Sequence, residues 1–198
     1  MKYAAALTLI LSIAVQGWSQ SKVDSIVYDT GGMEWKMFDS KGPVLAFAVH
    51  DNQLWYATAD KVARVNISTG TFDQYQKVGE LDAAGVTAMG RGGGGVWIGT
   101  DRGVVLRAGG RFQAFTADNG LPGNSVNAIY GTNDGAVWVG TDSGVGVYTN
   151  GSWKSHTTAD GLVDNTVKAI VADHRSAVWL GTKRGISVFN NGRWTSHT

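Results

Sequence analysis

Val137-Trp138-Val139-Gly140-Thr141 is one of four near-copies of a single phrase in a chain of 198 residues. The others are Leu54-Trp55-Tyr56-Ala57-Thr58, Val96-Trp97-Ile98-Gly99-Thr100 and Val178-Trp179-Leu180-Gly181-Thr182, so Trp55, Trp97, Trp138 and Trp179 recur at intervals of 42, 41 and 41 residues. A fixed period in the 40s centred on a Trp strand is the mark of β-propeller blades, because one such unit cannot bury its own sheet and needs flanking copies. The chain therefore reads as all-β, a propeller of four-stranded antiparallel blades.

Working outward from Trp138 gives the blade. Val126-Asn127-Ala128-Ile129-Tyr130 is strand A, Val137 to Gly140 is B, Val145-Gly146-Val147-Tyr148 is C and Trp153-Lys154-Ser155-His156 is D. Asn133-Asp134-Gly135 turns A into B, and the C to D turns are Thr69-Gly70, Gly109-Gly110, Asn150-Gly151 and Asn191-Gly192, pairs that tolerate the positive φ of two-residue hairpins. The D strands carry a ring at Phe72, Phe112, Trp153 and Trp194 and a second at Tyr75, Phe115, His156 and His197, a pattern that predicts blade-to-blade packing. His156 and His197 share that slot with Tyr and Phe and are read as structural. His50 and His174, near A to B turns, are read as surface residues. Gly99, Gly140 and Gly181 follow the Trp within strand B, where glycine predicts close approach of a neighbouring backbone.

Ahead of the array, Met1-Lys2 and the apolar run Ala4 to Val15 are too short to span a membrane and read as a secretory signal peptide over 1–19, cut after Ser19 or, alternatively, after Gly17. A buried N-terminal helix would find no helical partner in the array. The rest, 20–198, is read as propeller: a half blade at 25–38 and blades at 44–75, 86–115, 126–156 and 167–197. In the half blade, Ile26-Val27-Tyr28, Gly31-Gly32, Trp35 and Phe38 match the C to D hairpin of the other copies.

The 17 Lys and Arg face 16 Asp and Glu, and loss of Lys2 with the leader brings them to parity. With no basic run, nucleic acid and anionic membranes are not expected partners. The chain has no cysteine, which excludes disulfides, thiolate metal sites and thiol nucleophiles. Charged residues make up 17% of the chain, below the roughly 25% usual in globular domains, while its 28 glycines suit short strands and tight turns.

The run Asn119-Gly120-Leu121-Pro122-Gly123-Asn124-Ser125-Val126-Asn127-Ala128-Ile129, continuing through Asn133-Asp134-Gly135-Ala136-Val137-Trp138-Val139-Gly140-Thr141 to Ser143-Gly144-Val145, resembles the two-component regulator propeller repeat. The resemblance recurs at Asp160-Gly161-Leu162, Asn165-Thr166-Val167, Ala169-Ile170 and Val178 to Thr182. It is weakest in the first copy, where Ala57-Thr58-Ala59-Asp60-Lys61 replaces the Gly-Thr turn. Family membership would imply an extracytoplasmic sensor region of a bacterial hybrid histidine kinase, reading an extracellular cue often related to polysaccharides. It would place the chain in the periplasm or outside the cell, with a kinase region attached if the native chain is longer.

Four blades and a half do not close a ring. The half blade wants A and B strands from beyond Thr198, which predicts either a fragment of a longer propeller or self-association of two arcs through their open edges.

In a propeller the D to A connections and B to C turns share one face. That face gathers the expected ligand-binding residues Asp101, Arg102, Asp118, Asn124, Asp142, Asp160, Asn165, Lys183 and Arg184. The position after Gly-Thr runs Asp101, Asp142, Lys183, a change of charge that a turn alone does not require, although Asp is also an ordinary turn former. No nucleophile setting, calcium loop or metal-ligand spacing is present, so no catalytic residue, cofactor or metal is expected. Asp134 and Trp138 do not have the spacing of a sialidase-type Asp box. The leading expectation is a non-enzymatic sensor propeller for a small molecule or carbohydrate. The alternatives are a secreted stand-alone scaffold or polysaccharide-binding protein and, third, a propeller glycosidase or lyase.

Overall fold

The computed structural model describes residues 28–29, 34–35, 43–79, 81–82 and 85–198, so the signal-peptide reading and most of the half blade lie outside the described residues. The chain forms two compact units, Met1–Asp39 and Ser40–Thr198. In the first, β1 (Tyr28–Asp29) and β2 (Glu34–Trp35) form an antiparallel pair with Tyr28 opposite Trp35.

The second unit holds four four-stranded antiparallel sheets. Sheet one is β3 (Ala46–His50), β4 (Gln53–Ala57), β5 (Val62–Asn66) and β6 (Phe72–Tyr75). A short pair, β7 (Lys77–Val78) and β8 (Leu81–Asp82), leads to sheet two: β9 (Val86–Gly92), β10 (Gly95–Thr100), β11 (Gly103–Ala108) and β12 (Arg111–Phe115). Sheet three is β13 (Val126–Gly131), β14 (Val137–Thr141), β15 (Gly144–Thr149) and β16 (Ser152–His156). Sheet four is β17 (Val167–Ala172), β18 (Val178–Thr182), β19 (Gly185–Asn190) and β20 (Arg193–His197). Each is a meander joined by tight turns, and the first strands β3, β9, β13 and β17 neighbour one another in that order. These are propeller blades in a ring that does not close.

Apolar layers between consecutive sheets hold the array together. Strand β10 is buried throughout because its two faces serve different layers. Val96 and Ile98 pack against sheet one with Trp55, and Trp97 packs against sheet three with Val137 and Val139, as the two-residue period of a strand requires. Trp97 is fully buried and stacks on Phe115 at 5.8 Å, with Tyr148 and Trp153 of the next sheet at 5.0 and 5.8 Å. Trp138 repeats this with His156, Phe189 and Trp194, and Trp55 with Tyr75 and Phe112. His156 is thus a packing ring; burial, then the Lys154 charge, hold its imidazole below the ordinary value, with Asp160 opposing.

Two local expectations change. Gly99 and Gly140, within the Trp strands, make room for side chains of the next sheet and not for a neighbouring backbone. A Cβ on Gly99 would lie 2.5 Å from Val126 Cγ1, and one on Gly140 would lie 2.7 Å from Val167 Cγ1, both on the first strand of the next sheet. The first C to D turn is also longer than Thr69-Gly70. Strands β5 and β6 are joined by residues 67–71, where the Asn66 side chain accepts the N–H groups of Ser68 and Thr69, as Asn does in turns, and the Gly70 N–H donates to Asn66 O. The other three are two-residue turns with positive φ at both positions, Gly109-Gly110, Asn150-Gly151 and Asn191-Gly192.

Candidate functional site

The antiparallel meander puts each D to A connection beside the B to C turn of the sheet it enters. The Asp142 N–H donates to Ser125 O at 3.2 Å, the Lys183 N–H donates to Thr166 O at 3.0 Å, and a Cβ on Gly123 would lie 2.9 Å from Ser143.

The Thr after the glycine builds each B to C turn. Thr100 Oγ1 donates to Gly103 O and accepts the Arg102 N–H; Thr141 makes the same pair with Gly144 and Ser143, and Thr182 with Gly185 and Arg184. Asp101, Asp142 and Lys183 therefore do not fold their own turns, and all three are exposed.

The D to A connections use their polar side chains internally. Asn124 Oδ1 accepts the Ala117 N–H at 2.7 Å, closing a loop that begins with the 3-10 turn Ala117–Asn119 and holds the exposed Asp118. Asn165 accepts the Thr158 N–H, also at 2.7 Å, and Asp160 accepts the Thr157 N–H at 2.8 Å, which lowers the Asp160 carboxyl below the usual range. Asn124, Asp160 and Asn165 are thus loop staples, and Arg184 pairs with Asp164 at 3.3 Å.

Three polar residues that sequence reasoning did not place at this site complete it. The pairing of β13 with β14 skips Asn127, that of β17 with β18 skips Lys168, and that of β9 with β10 skips Thr87. Such a bulge frees one residue from the ladder and re-aims its side chain. Thr87 Oγ1 donates to Val126 O at 2.6 Å and Asn127 Nδ2 donates to Val167 O at 3.0 Å, each reaching the first strand of the next sheet. Lys168 Nζ instead donates back to Asp142 Oδ1 at 2.9 Å and Asn127 Oδ1 at 3.2 Å. The Asn127 hydrogen bond, then Lys168, hold the Asp142 carboxyl below its usual range. The visible signal was a polar residue after the first Val of three of the four A strands, in Val86-Thr87, Val126-Asn127 and Val167-Lys168.

This rim offers an ionised carboxylate, an ammonium, amides and hydroxyls from successive blades, a set that can hydrogen-bond a polyhydroxylated or zwitterionic ligand. Among the described residues, no group of three or more His, Asp or Glu side chains is placed to hold a metal ion, and no helix is long and apolar enough to cross a membrane.

Residues 120–143 match the model of the two component regulator propeller family. Among solved structures, the extracellular domain of the putative hybrid two component system BT3049 from B. thetaiotaomicron aligns with a TM-score of 0.72 and 21% identity over 86% of this chain and 25% of that one. The corresponding domain of BT4673 from the same organism aligns at 0.63 and 22% identity over 77% and 22%. Virginiamycin B lyase from Staphylococcus aureus aligns at 0.65 and 14% identity over 87% and 62%. The chain thus spans about a quarter or less of the length of these two extracellular domains, and the shared feature is the propeller fold. Among curated proteins none matches this sequence.

Proposed function

We propose that this chain, which carries a two-component regulator propeller repeat, is a ligand-binding segment of an extracytoplasmic sensor propeller in a bacterial two-component system and is not an enzyme. The observation that carries this reading is the row of bulge residues Thr87, Asn127 and Lys168 beside the exposed Asp101, Asp142 and Lys183. Bulges that aim polar side chains at one rim are a recurrent device of binding sites. The likeness of the fold to extracellular domains of hybrid two component systems supports the sensor reading and an exported location. The ligand class that fits is a carbohydrate, held by Asp142, Asn127 and Lys168, with Asp101, Arg102, Asp118, Lys183 and Arg184 around it.

The test is calorimetric titration of the purified chain with a panel of neutral and acidic oligosaccharides, repeated with Asp142→Ala and Lys183→Ala. Loss of one hydrogen bond to a charged group corresponds to about 1.5–3 kcal/mol, so Asp142→Ala should weaken binding by roughly ten- to a hundredfold. Unchanged affinity in both variants would remove the site from this rim. Turnover of any bound sugar would replace the sensor reading with the enzymatic one.

A further inference from the structure

Sheets two, three and four each bring the bulge residue of the first strand beside the residue that follows the Thr of the second. These pairs are Thr87 and Asp101, Asn127 and Asp142, and Lys168 and Lys183. In sheet three the two side chains touch, with Asn127 Nδ2 2.7 Å from Asp142 Oδ1. Sheet four has the same backbone. Its bulge again falls between the first Val and the Ala that follows, and Lys183 donates its N–H to Thr166 O as Asp142 does to Ser125 O. The pair that is amide and carboxylate in sheet three is therefore two ammonium groups in sheet four.

Ammonium groups so placed repel each other. Lys168 reaches back to sheet three, where Nζ donates to Asp142 Oδ1 at 2.9 Å and Asn127 Oδ1 at 3.2 Å. An ammonium has three protons to donate, so one is left. Lys183 is exposed and has no ion-pair partner among the described residues, while Arg184 beside it is held by Asp164 at 3.3 Å. The two carboxylates within reach of these three cations, Asp142 and Asp164, are thus already engaged. The turn does not need Lys183, because Thr182 Oγ1 folds it by donating to Gly185 O and accepting the Arg184 N–H.

We infer that Lys183 and the remaining donor of Lys168 form an anion subsite on this rim, which takes the charged group of an acidic sugar, either a uronate carboxylate or a sulfate ester. The inference rests on the reading of the rim as a ligand site and adds the charge of the ligand to it. Hydrogen bonds between an ammonium and an anionic oxygen are roughly twice as strong as neutral ones, so the subsite separates acidic from neutral saccharides of the same shape. Asp142 and Asn127 are positioning residues for it, since they fix the Lys168 ammonium at the edge of sheet three.

Calorimetric titration of the 198-residue chain with uronate trisaccharides, their methyl esters and sulfated galactose trisaccharides tests this. Esterification keeps the sugar and removes its charge. At low ionic strength at least one acidic probe should bind about tenfold or more tighter than its neutral counterpart, and the preference should shrink as salt screens the exposed ammonium. Lys183→Gln should weaken the acidic probe by about tenfold and change the ester by less than about twofold, and Lys168→Gln should act in the same direction. Preference for the uronate assigns the charge to a carboxylate, and preference for the sulfated probe assigns it to a sulfate ester. Neutral and acidic probes bound equally, or a preference that survives either substitution, overturn the subsite and leave the ligand-site reading standing. A chain that binds no probe, acidic or neutral, overturns both.

Discussion

His156 shows how one side chain ties a packing slot to pH. In the slot held by Tyr75 and Phe115 in earlier blades it stacks on Trp138 at an interplanar angle of 12° and is buried. Burial disfavours its protonated form, so the folded imidazole titrates below the unfolded value of about 6.5. Between those two values the unfolded chain binds more protons than the folded one, so stability falls as pH drops through that window. The lowered carboxylates Asp134, Asp142, Asp160 and Asp173 act in the same direction, but below their ordinary range near 4. Thermal melts from pH 7.5 down to 5 should show a decline in the wild type that is reduced in His156→Phe, which keeps a ring on Trp138. Equal slopes in the two proteins would show that another group carries the dependence.

Strands pack across sheets at Gly99 and Gly140, and what a glycine in this phrase tolerates depends on whether a sheet packs over it. A methyl on Gly140 would press on Val167 Cγ1 at 2.7 Å, with Ile170 behind it, whereas one on Gly181 would meet only Ala169 Cβ at 3.6 Å. Overpacking of this kind costs about 1–3 kcal/mol. Gly140→Ala should therefore lose about that much in chemical denaturation, and Gly181→Ala should lie within about 0.5 kcal/mol of wild type, as surface substitutions do. The same glycine in the same phrase would then have two energetic roles. Equal losses at both positions would place the cost in the strand itself and not in the layer between sheets.

Across the whole molecule, stability should be graded along the array, since each blade is stabilised by its neighbours more than by itself. Sheet three lies between two apolar layers, one built on Trp97 and one on Trp138, whereas the Trp179 side of sheet four has no layer over it among the described residues. Local opening costs least where buried apolar contact is least. Hydrogen exchange should give lower protection in β18–β20 than in β14–β16. Uniform protection would mean that the array opens as one cooperative unit.

The period of the Trp phrase, the alternation of apolar residues and the Asn-Gly turns determined the blades by themselves, because these signals are local to one strand or one turn. The residues that fold the D to A connections were visible in the sequence as polar residues but not as staples. Asn124, Asp160 and Asn165 have the chemistry of ligand contacts, and only the folded loop shows their oxygens turned to backbone N–H groups. Thr87, Asn127 and Lys168 were visible in the sequence only as polar residues after a Val; that each is a bulge was decided by tertiary structure, since a bulge is a mismatch in length between two paired strands and no single strand records it. The exposure of Trp179 was decided at the same level, because whether a tryptophan is core or surface depends on the sheet that packs on it.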